Sequence, residues 1–286
     1  MGKLLHMMPK NDQDAYIFYF FRILYGKFYY SKQSYKKKSM ASTDEIQPIE
    51  VTFLQFVDFL RSNLNDLDHS GGVGISSDFP EFDLMPQNYL AYANIALSDS
   101  SDANRINCIS HLKRAVECEA DTFFHVLQIS RRLNFPQKLG ALERLELMPS
   151  RSIVHLNRIR NKVEHEYSVP EIDDLSVYFD LVAGFIAAIE GAIYMLISIG
   201  GLMEWDAQEE NSNLRFSIGL DISYSTQTSS ITVYMYEGKA CSHYKVSPDN
   251  WDAFLDTLRI LFLLIRGASV ISKDYVISLL PATPAI

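Results

Sequence analysis

Residues 158–167, which read RIRNKVEHEY, hold the side chains whose types and spacing are best suited to chemistry. The imidazole of His165 can accept and donate a proton near neutral pH, as a general acid or base must. The guanidinium of Arg160 presents fixed, paired donors that stabilise negative charge on a phosphate group. Together these two groups are suited to proton transfer and to binding an anion.

Helix geometry leaves two interpretations of this segment open. On an ideal helix Arg160 and His165 point about 140° apart, because each residue turns the helix by about 100°. They converge on one ligand where the helix loosens or where a second protomer completes the site. In the alternative, Arg160 and Glu164 form a surface ion pair of little energy, and His165 is a helix-end imidazole. The spacing by itself favours this alternative.

The stretch from Arg160 to Tyr167 resembles the R-x4-H-x-Y signature of the HEPN family, and Asn161 matches the polar residue that usually follows the arginine. HEPN domains are bundles of four or five helices in which the motif precedes the last long helix. Here the motif lies between two predicted long helices, 102–133 and 171–199, and the stretch 110–121 is similar to the early long helix of such domains. The resemblance is closest over 100–185.

The resemblance implies a metal-independent endoribonuclease that acts as a homodimer, in which the RNA 2′-OH attacks the phosphate. It assigns acid/base catalysis to His165, stabilisation of the phosphorane to Arg160, and orientation of the phosphate or the imidazole to Asn161. In toxin–antitoxin members the residue equivalent to Tyr167 is modified by a partner, which implies a toxin or defence effector with an antitoxin or regulatory protein. The alternative is a catalytically inactive HEPN-like scaffold or binding module that acts through dimerisation.

The charge distribution limits where RNA could bind. The net charge is -9, but residues 1–40 hold eight Lys/Arg and two Asp/Glu, which leaves 18 basic and 33 acidic residues in the remainder. An acidic body does not bind nucleic acid through its general surface. The stretch 131–168 is locally basic, and from it we predict an RNA-binding patch, with a solvated helix face as the alternative. The predicted RNA-binding residues are Arg131, Arg132, Arg158 and Lys162.

The sequence favours a cytoplasmic protein without a metal or cofactor. Its three cysteines are scattered without a CxxC pair, which argues against a disulfide framework and a zinc site and favours a reducing compartment. No HExxH, Walker or Gly-x-Ser-x-Gly motif is present. The apolar run 181–203 is long enough to span a bilayer, but Glu190 lies at its centre. We therefore predict the most buried helix of a bundle and no stable membrane insertion.

Hydrophobic periodicity divides the chain into three parts. We predict a basic aromatic extension over 1–44, a HEPN-like helical bundle over 45–205, and a small α+β module of the ββ(β)α type over 213–276. The predicted fold class is therefore mainly α. The Gly-rich stretch 70–83 is predicted to be a loop, and the module is predicted to contain strands over 214–224, 231–236 and 240–246.

Overall fold

The structure, a computed structural model, describes residues 47–98, 101–129, 131–147, 165–166, 169, 172–207 and 218–282, and of residues 172–174 it describes the backbone. Ile46–Ile286 form one compact unit. The predicted extension 1–44 and most of the predicted helix 151–167 lie outside the described residues.

The described chain folds into seven helices and a six-stranded mixed sheet, so the protein is α+β. The helices are α1 (Phe53–Asn63), α2 (Pro86–Leu97), α3 (Asp102–Val126), α4 (Phe135–Arg144), α5 (Ile172–Ile199), α6 (Trp251–Gly267) and α7 (Lys273–Ser278). The strands are β1 (Ile49–Glu50), β2 (Asp68–Val73), β3 (Leu202–Asp206), β4 (Ile218–Ser225), β5 (Ser230–Glu237) and β6 (Ala240–Val246).

The predicted fold class, a mainly helical bundle followed by a small separate module, was wrong. The strand order is β1-β6-β5-β4-β3-β2, with β1 parallel to β6 and every other pair antiparallel. Strands from both predicted domains, 45–205 and 213–276, therefore pair in a single sheet. The helices α2 to α5 lie in the sequence between the two neighbouring strands β2 and β3.

The Gly-rich stretch was predicted to be a loop, but its first part forms β2 on the edge of the sheet. Glycines are required where β2 ends, because the chain there crosses the end of α5. A methyl group added at Gly74 would overlap the carbonyl of Ile197, and the Gly201 N–H donates a 2.8 Å hydrogen bond to the Val73 carbonyl. The glycines therefore mark a close approach of two backbones.

One face of the sheet forms the core. The side chains on this face come from every second residue of a strand, and all of them are buried: Met203, Trp205, Leu220, Ile222, Tyr224, Ile231, Val233, Met235, Tyr244 and Val246. Phe56 of α1 stacks on Tyr244 with ring centroids 6.1 Å apart, and Phe254 of α6 lies 6.3 Å from Tyr224. On the side of α6 that faces away from the sheet, Phe262 stacks against Phe123 of α3. The helix α6 therefore lies between the sheet and α3.

This layering corrects the prediction that the run 181–203 is the most buried helix. Ten of the seventeen residues of α6 are buried. In α5, only 39% of an apolar 18-residue stretch within Leu175–Ile199 is buried. The described chain has this one helix long and apolar enough to cross a membrane.

Several predicted helices are confirmed. The α2 helix has the predicted bounds, and Ser101 caps α3 by accepting a hydrogen bond from the Asn104 N–H. The α3 helix ends at Val126 rather than near Leu133, and Gln128 follows it with a φ of 52°, a left-handed conformation typical of helix ends. The three predicted strands of the C-terminal part are also confirmed, with β4 beginning at Ile218.

Candidate functional site

His165 is the predicted catalytic residue that the structure describes. It lies in a helical conformation and its side chain is exposed, as is that of Glu166. Arg160, Asn161 and Tyr167 lie outside the described residues, as do the predicted RNA-binding residues Arg158 and Lys162. The imidazole of His165 is therefore accessible to solvent.

Arg131 and Arg132 are exposed between α3 and α4. The guanidinium of Arg131 lies 5.1 Å from the ring centroid of Trp251, at the first residue of α6. This cation–π contact fixes the direction of the side chain. A stacked guanidinium keeps the N–H groups of its edge available for an anion such as phosphate.

Two other basic residues of the stretch 131–168 are already paired with carboxylates. Arg144 donates hydrogen bonds of 2.9 and 2.8 Å to the two carboxylate oxygens of Asp256 and also bonds Asp252, both on α6. The hydrogen bond that Arg144 donates to Asp256 is the largest cause that raises the pKa of Arg144. Lys138 forms an ion pair with Asp121 of α3. These contacts join α4 to its neighbours, and they reduce the positive charge that the stretch offers to RNA.

The sheet face opposite the core carries a polar cluster that the sequence prediction missed. The Tyr236 hydroxyl donates a 2.9 Å hydrogen bond to Asp221 Oδ2 across β4 and β5. Burial raises the pKa of Asp221 to about 6, the hydrogen bond from Tyr236 lowers it, and Glu204 and Asp206 on β3 add to the rise. Asp221 alternates with the apolar residues Leu220 and Ile222, which is a signal for the polar face of a strand, but the sequence does not show that this face is half-buried.

A second missed cluster lies between three helices. Glu119 of α3 is only 2% exposed, and its Oε1 has no hydrogen-bond partner among the described residues. Burial, together with the nearby carboxylate of Glu190 on α5, raises the pKa of Glu119 to about 8. The described partner of Glu190 is the side-chain amide of Gln87 on α2. The position of Glu119 on the apolar stripe of α3, beside Val116 and Ala120, is the sequence signal that could have revealed its burial.

An open pocket of about 470 Å³ lies where the end of α2 meets the beginning of α5. Leu97 and Phe179 form its apolar part, and the remaining lining is polar: Asn94, Ser98, Ser176 and Asp180. The pocket is lined from two helices that run antiparallel, since Gln87 at the other end of α2 contacts Glu190 further along α5.

Among the described residues, no group of three or more His, Cys, Asp or Glu side chains could hold a metal ion. Cys108, Cys118 and Cys241 are free thiols. Burial raises the pKa of Cys108 and Cys118 to about 11, so neither thiol is activated as a nucleophile.

Comparisons of the chain with models of protein families, with curated proteins and with solved structures gave no match. The resemblance to HEPN domains therefore rests on the motif at residues 160–167 and on the long helices α3 and α5 on either side of it in the sequence.

Proposed function

We propose that the protein is a metal-independent endoribonuclease of the HEPN type, acting as a toxin or defence effector. The observation that carries this proposal is the R-x4-H-x-Y motif, whose histidine, His165, is exposed on the surface. A polymeric substrate needs such access, whereas a histidine that only completes a core is buried. The long helices α3 and α5, which precede and follow the motif, add support.

The proposed reaction assigns a role to each motif residue. His165 takes the proton from the RNA 2′-OH as its oxygen attacks the phosphorus, and a proton returns to the departing 5′ oxygen. The bond between the phosphorus and that oxygen breaks, which leaves a 2′,3′-cyclic phosphate and a 5′-OH. Arg160 stabilises the charge of the phosphorane, and Asn161 orients the phosphate or the imidazole. Tyr167 is the proposed site at which a partner protein silences the enzyme.

Arg131 and Arg132 are the described residues proposed to contact RNA outside the motif. Both are exposed, and the contact with Trp251 holds the Arg131 guanidinium in a fixed direction. Because the remainder of the chain is acidic, these two residues would act locally, together with Arg158 and Lys162.

A scaffold or binding module without catalysis is the second candidate function. The specific observation that favours it is α5. This helix is apolar enough to cross a membrane, but only 39% of its most apolar stretch is buried inside the protein. The helix exposes the large side chains of Val177 and Tyr194, and exposed apolar side chains grouped on one element are typical of a protein-binding surface. In this case the motif would serve the fold or an interface rather than a reaction.

The test is cleavage of a labelled structured RNA in EDTA by the wild-type protein and by the variants His165→Ala, Arg160→Ala and His125→Ala. His125 is also an exposed helical histidine, so its variant is the matched control. We expect the wild type and His125→Ala to leave 2′,3′-cyclic phosphate ends, and the two motif variants to lose at least about 100-fold in rate. Equal cleavage by all four proteins would exclude the motif as the site. Absence of cleavage by all four, with an intact mass that excludes modification of Tyr167, would favour the scaffold.

A further inference from the structure

The helices α2 and α3 carry an aromatic cluster on their shared surface, formed by Tyr89, Tyr92 and His111. The two helices run antiparallel. The Cys118 thiol donates a hydrogen bond to the Leu84 carbonyl just before α2 begins, and His111, two turns earlier in α3, contacts Tyr92 further along α2. The centroid of the His111 ring lies 5.5 Å from that of Tyr92 and 6.5 Å from that of Tyr89. The three rings therefore form one contiguous group.

Of these three rings, Tyr92 is the one that is open to solvent. It is 40% exposed, whereas Tyr89 and His111 are half-buried. The contact with His111 supports the Tyr92 ring from the side of α3 and restricts its motion. The exposed part of the ring remains free to stack on a planar group of a ligand.

A cation lies beside the cluster. Arg114 follows His111 by three residues and therefore lies on the same side of α3. Burial lowers the pKa of His111, and the charge of Arg114 lowers it further, so the imidazole is neutral at pH 7 and the guanidinium supplies the positive charge. Arg114 is exposed and has no carboxylate partner among the described residues, whereas the neighbouring Lys113 is ion-paired with Glu117.

The surface around the cluster differs in charge from the acidic remainder of the chain. The α2 helix contains no charged residue, and the first half of α3, residues 102–114, contains three basic residues and one acidic residue. An anion such as phosphate can approach here without the repulsion that an acidic surface exerts. A cationic ligand would instead meet the like charge of Arg114, so the cluster is not suited to an ammonium group.

We propose that Tyr92, supported by His111 and Tyr89, stacks on a base of single-stranded RNA while Arg114 binds a neighbouring phosphate. Aromatic rings beside a cation are the usual elements of single-strand recognition. The cluster lies on the open surface, which suits a base held within a strand better than a free nucleotide, because a strand makes further contacts elsewhere. The choice of RNA as the ligand rests on the proposed ribonuclease function, to which the cluster adds a base contact outside the motif.

The first test measures the affinity of the full chain for a 2′-O-methyl oligonucleotide of about ten nucleotides by fluorescence anisotropy. This probe lacks the free 2′-OH that attacks the phosphate, so binding is measured apart from cleavage. Tyr92→Leu keeps an apolar side chain against His111 but removes the flat ring, whereas Tyr92→Phe keeps the ring. Tyr194→Leu on α5 is the matched control, because Tyr194 is also an exposed helical tyrosine.

We expect Tyr92→Phe and Tyr194→Leu to bind as the wild type does, and Tyr92→Leu to bind about 5- to 100-fold more weakly, which corresponds to the loss of one stacked base. Arg114→Gln should reduce the slope of log affinity against log salt concentration by about 0.7, the value for one phosphate of a single strand. The proposal is overturned if the wild type does not bind the oligonucleotide, or if Tyr92→Leu and Tyr92→Phe bind it equally well.

The second test locates the contact and identifies its source. A 5-iodouridine in the same oligonucleotide should cross-link to Tyr92 on irradiation, as identified by mass spectrometry of the digested protein. A cross-link at Tyr92 without cleavage of ordinary RNA would leave this site in place and contradict the ribonuclease. Cleavage without a cross-link at Tyr92 would do the reverse. Displacement of the oligonucleotide by an equal concentration of uridine monophosphate would overturn the strand as the ligand in favour of a free nucleotide.

Discussion

The carboxyl group of Glu119 on α3 lies beside that of Glu190 on α5, in the region where both helices pack against α2. Burial raises the pKa of both groups, and that of Glu119 reaches about 8. Two neighbouring carboxylates cannot both ionise easily in a poorly solvated site. The folded protein therefore holds Glu119 protonated at neutral pH.

We predict that the pH dependence of stability follows from this group. The pKa of Glu119 in the folded state is above its ordinary value of 4.5, so between these two values the folded protein holds a proton that the unfolded chain releases. Its contribution to stability is present below about pH 4.5 and is lost as the pH rises to about 8. Glu119→Gln, which keeps the shape and removes the titration, should raise the free energy of unfolding at pH 8 by about 2–4 kcal/mol. At pH 4.5 the same substitution should change the free energy of unfolding only slightly.

Urea denaturation at the two pH values measures this effect. Glu117→Gln is a suitable control, because Glu117 lies on the same helix but is half-buried and ion-paired with Lys113. The explanation fails if Glu119→Gln and the wild type lose stability equally between pH 4.5 and pH 8.

A second prediction concerns the Tyr236–Asp221 hydrogen bond. The bond favours the ionised carboxylate, so its removal in Tyr236→Phe should move the pKa of Asp221 above 6, in a chemical-shift titration followed by NMR. The variant should also lose about 1 kcal/mol of stability. Tyr234→Phe keeps the ring that stacks on His243 and should leave the titration of Asp221 unchanged. A titration that is the same in both variants would exclude the hydrogen bond as a cause.

The third prediction tests the proposed RNA contacts. Arg131→Ala and Arg132→Ala should each reduce the slope of log affinity against log salt concentration by about one unit in RNA filter binding. Lys239→Ala, an exposed lysine on the β5–β6 turn, is the control and should leave the slope unchanged. If all three variants have the wild-type slope, the patch at Arg131 and Arg132 does not contact RNA.

Most of the described helices could be predicted from the sequence, because their signals are local. Ser101 before the apolar stripe of α3, and Gly200 and Gly201 after α5, mark helix ends that the structure confirms. The sheet could not be predicted as a whole. The β1 strand has two residues, and β2 pairs with β3 across more than a hundred residues of sequence, which no local pattern reveals.

The candidate sites likewise contain features that are visible in the sequence and features that arise only when distant segments pack together. The side-chain type and spacing that select His165 are visible in the sequence, but the proximity of Glu119 to Glu190 arises where α3 and α5 pack together. The pairing of Arg144 with Asp256 likewise joins residues from distant parts of the chain. An arginine that contributes to the local basic charge of 131–168 is therefore paired within the protein.

The fourth prediction tests the backbone crossing between β2 and α5. A methyl group at Gly74 would overlap the Ile197 carbonyl, which is backbone and cannot move as a side chain could. Gly74→Ala should therefore lower the free energy of unfolding by about 2–3 kcal/mol or more. Gly140→Ala on α4 is the matched substitution in open space, and it should stabilise the protein by about 0.5–1 kcal/mol, since alanine is the better helix former. Thermal unfolding of the two variants beside the wild type measures both changes. Equal stability of Gly74→Ala and wild type would mean that β2 does not cross α5 so closely.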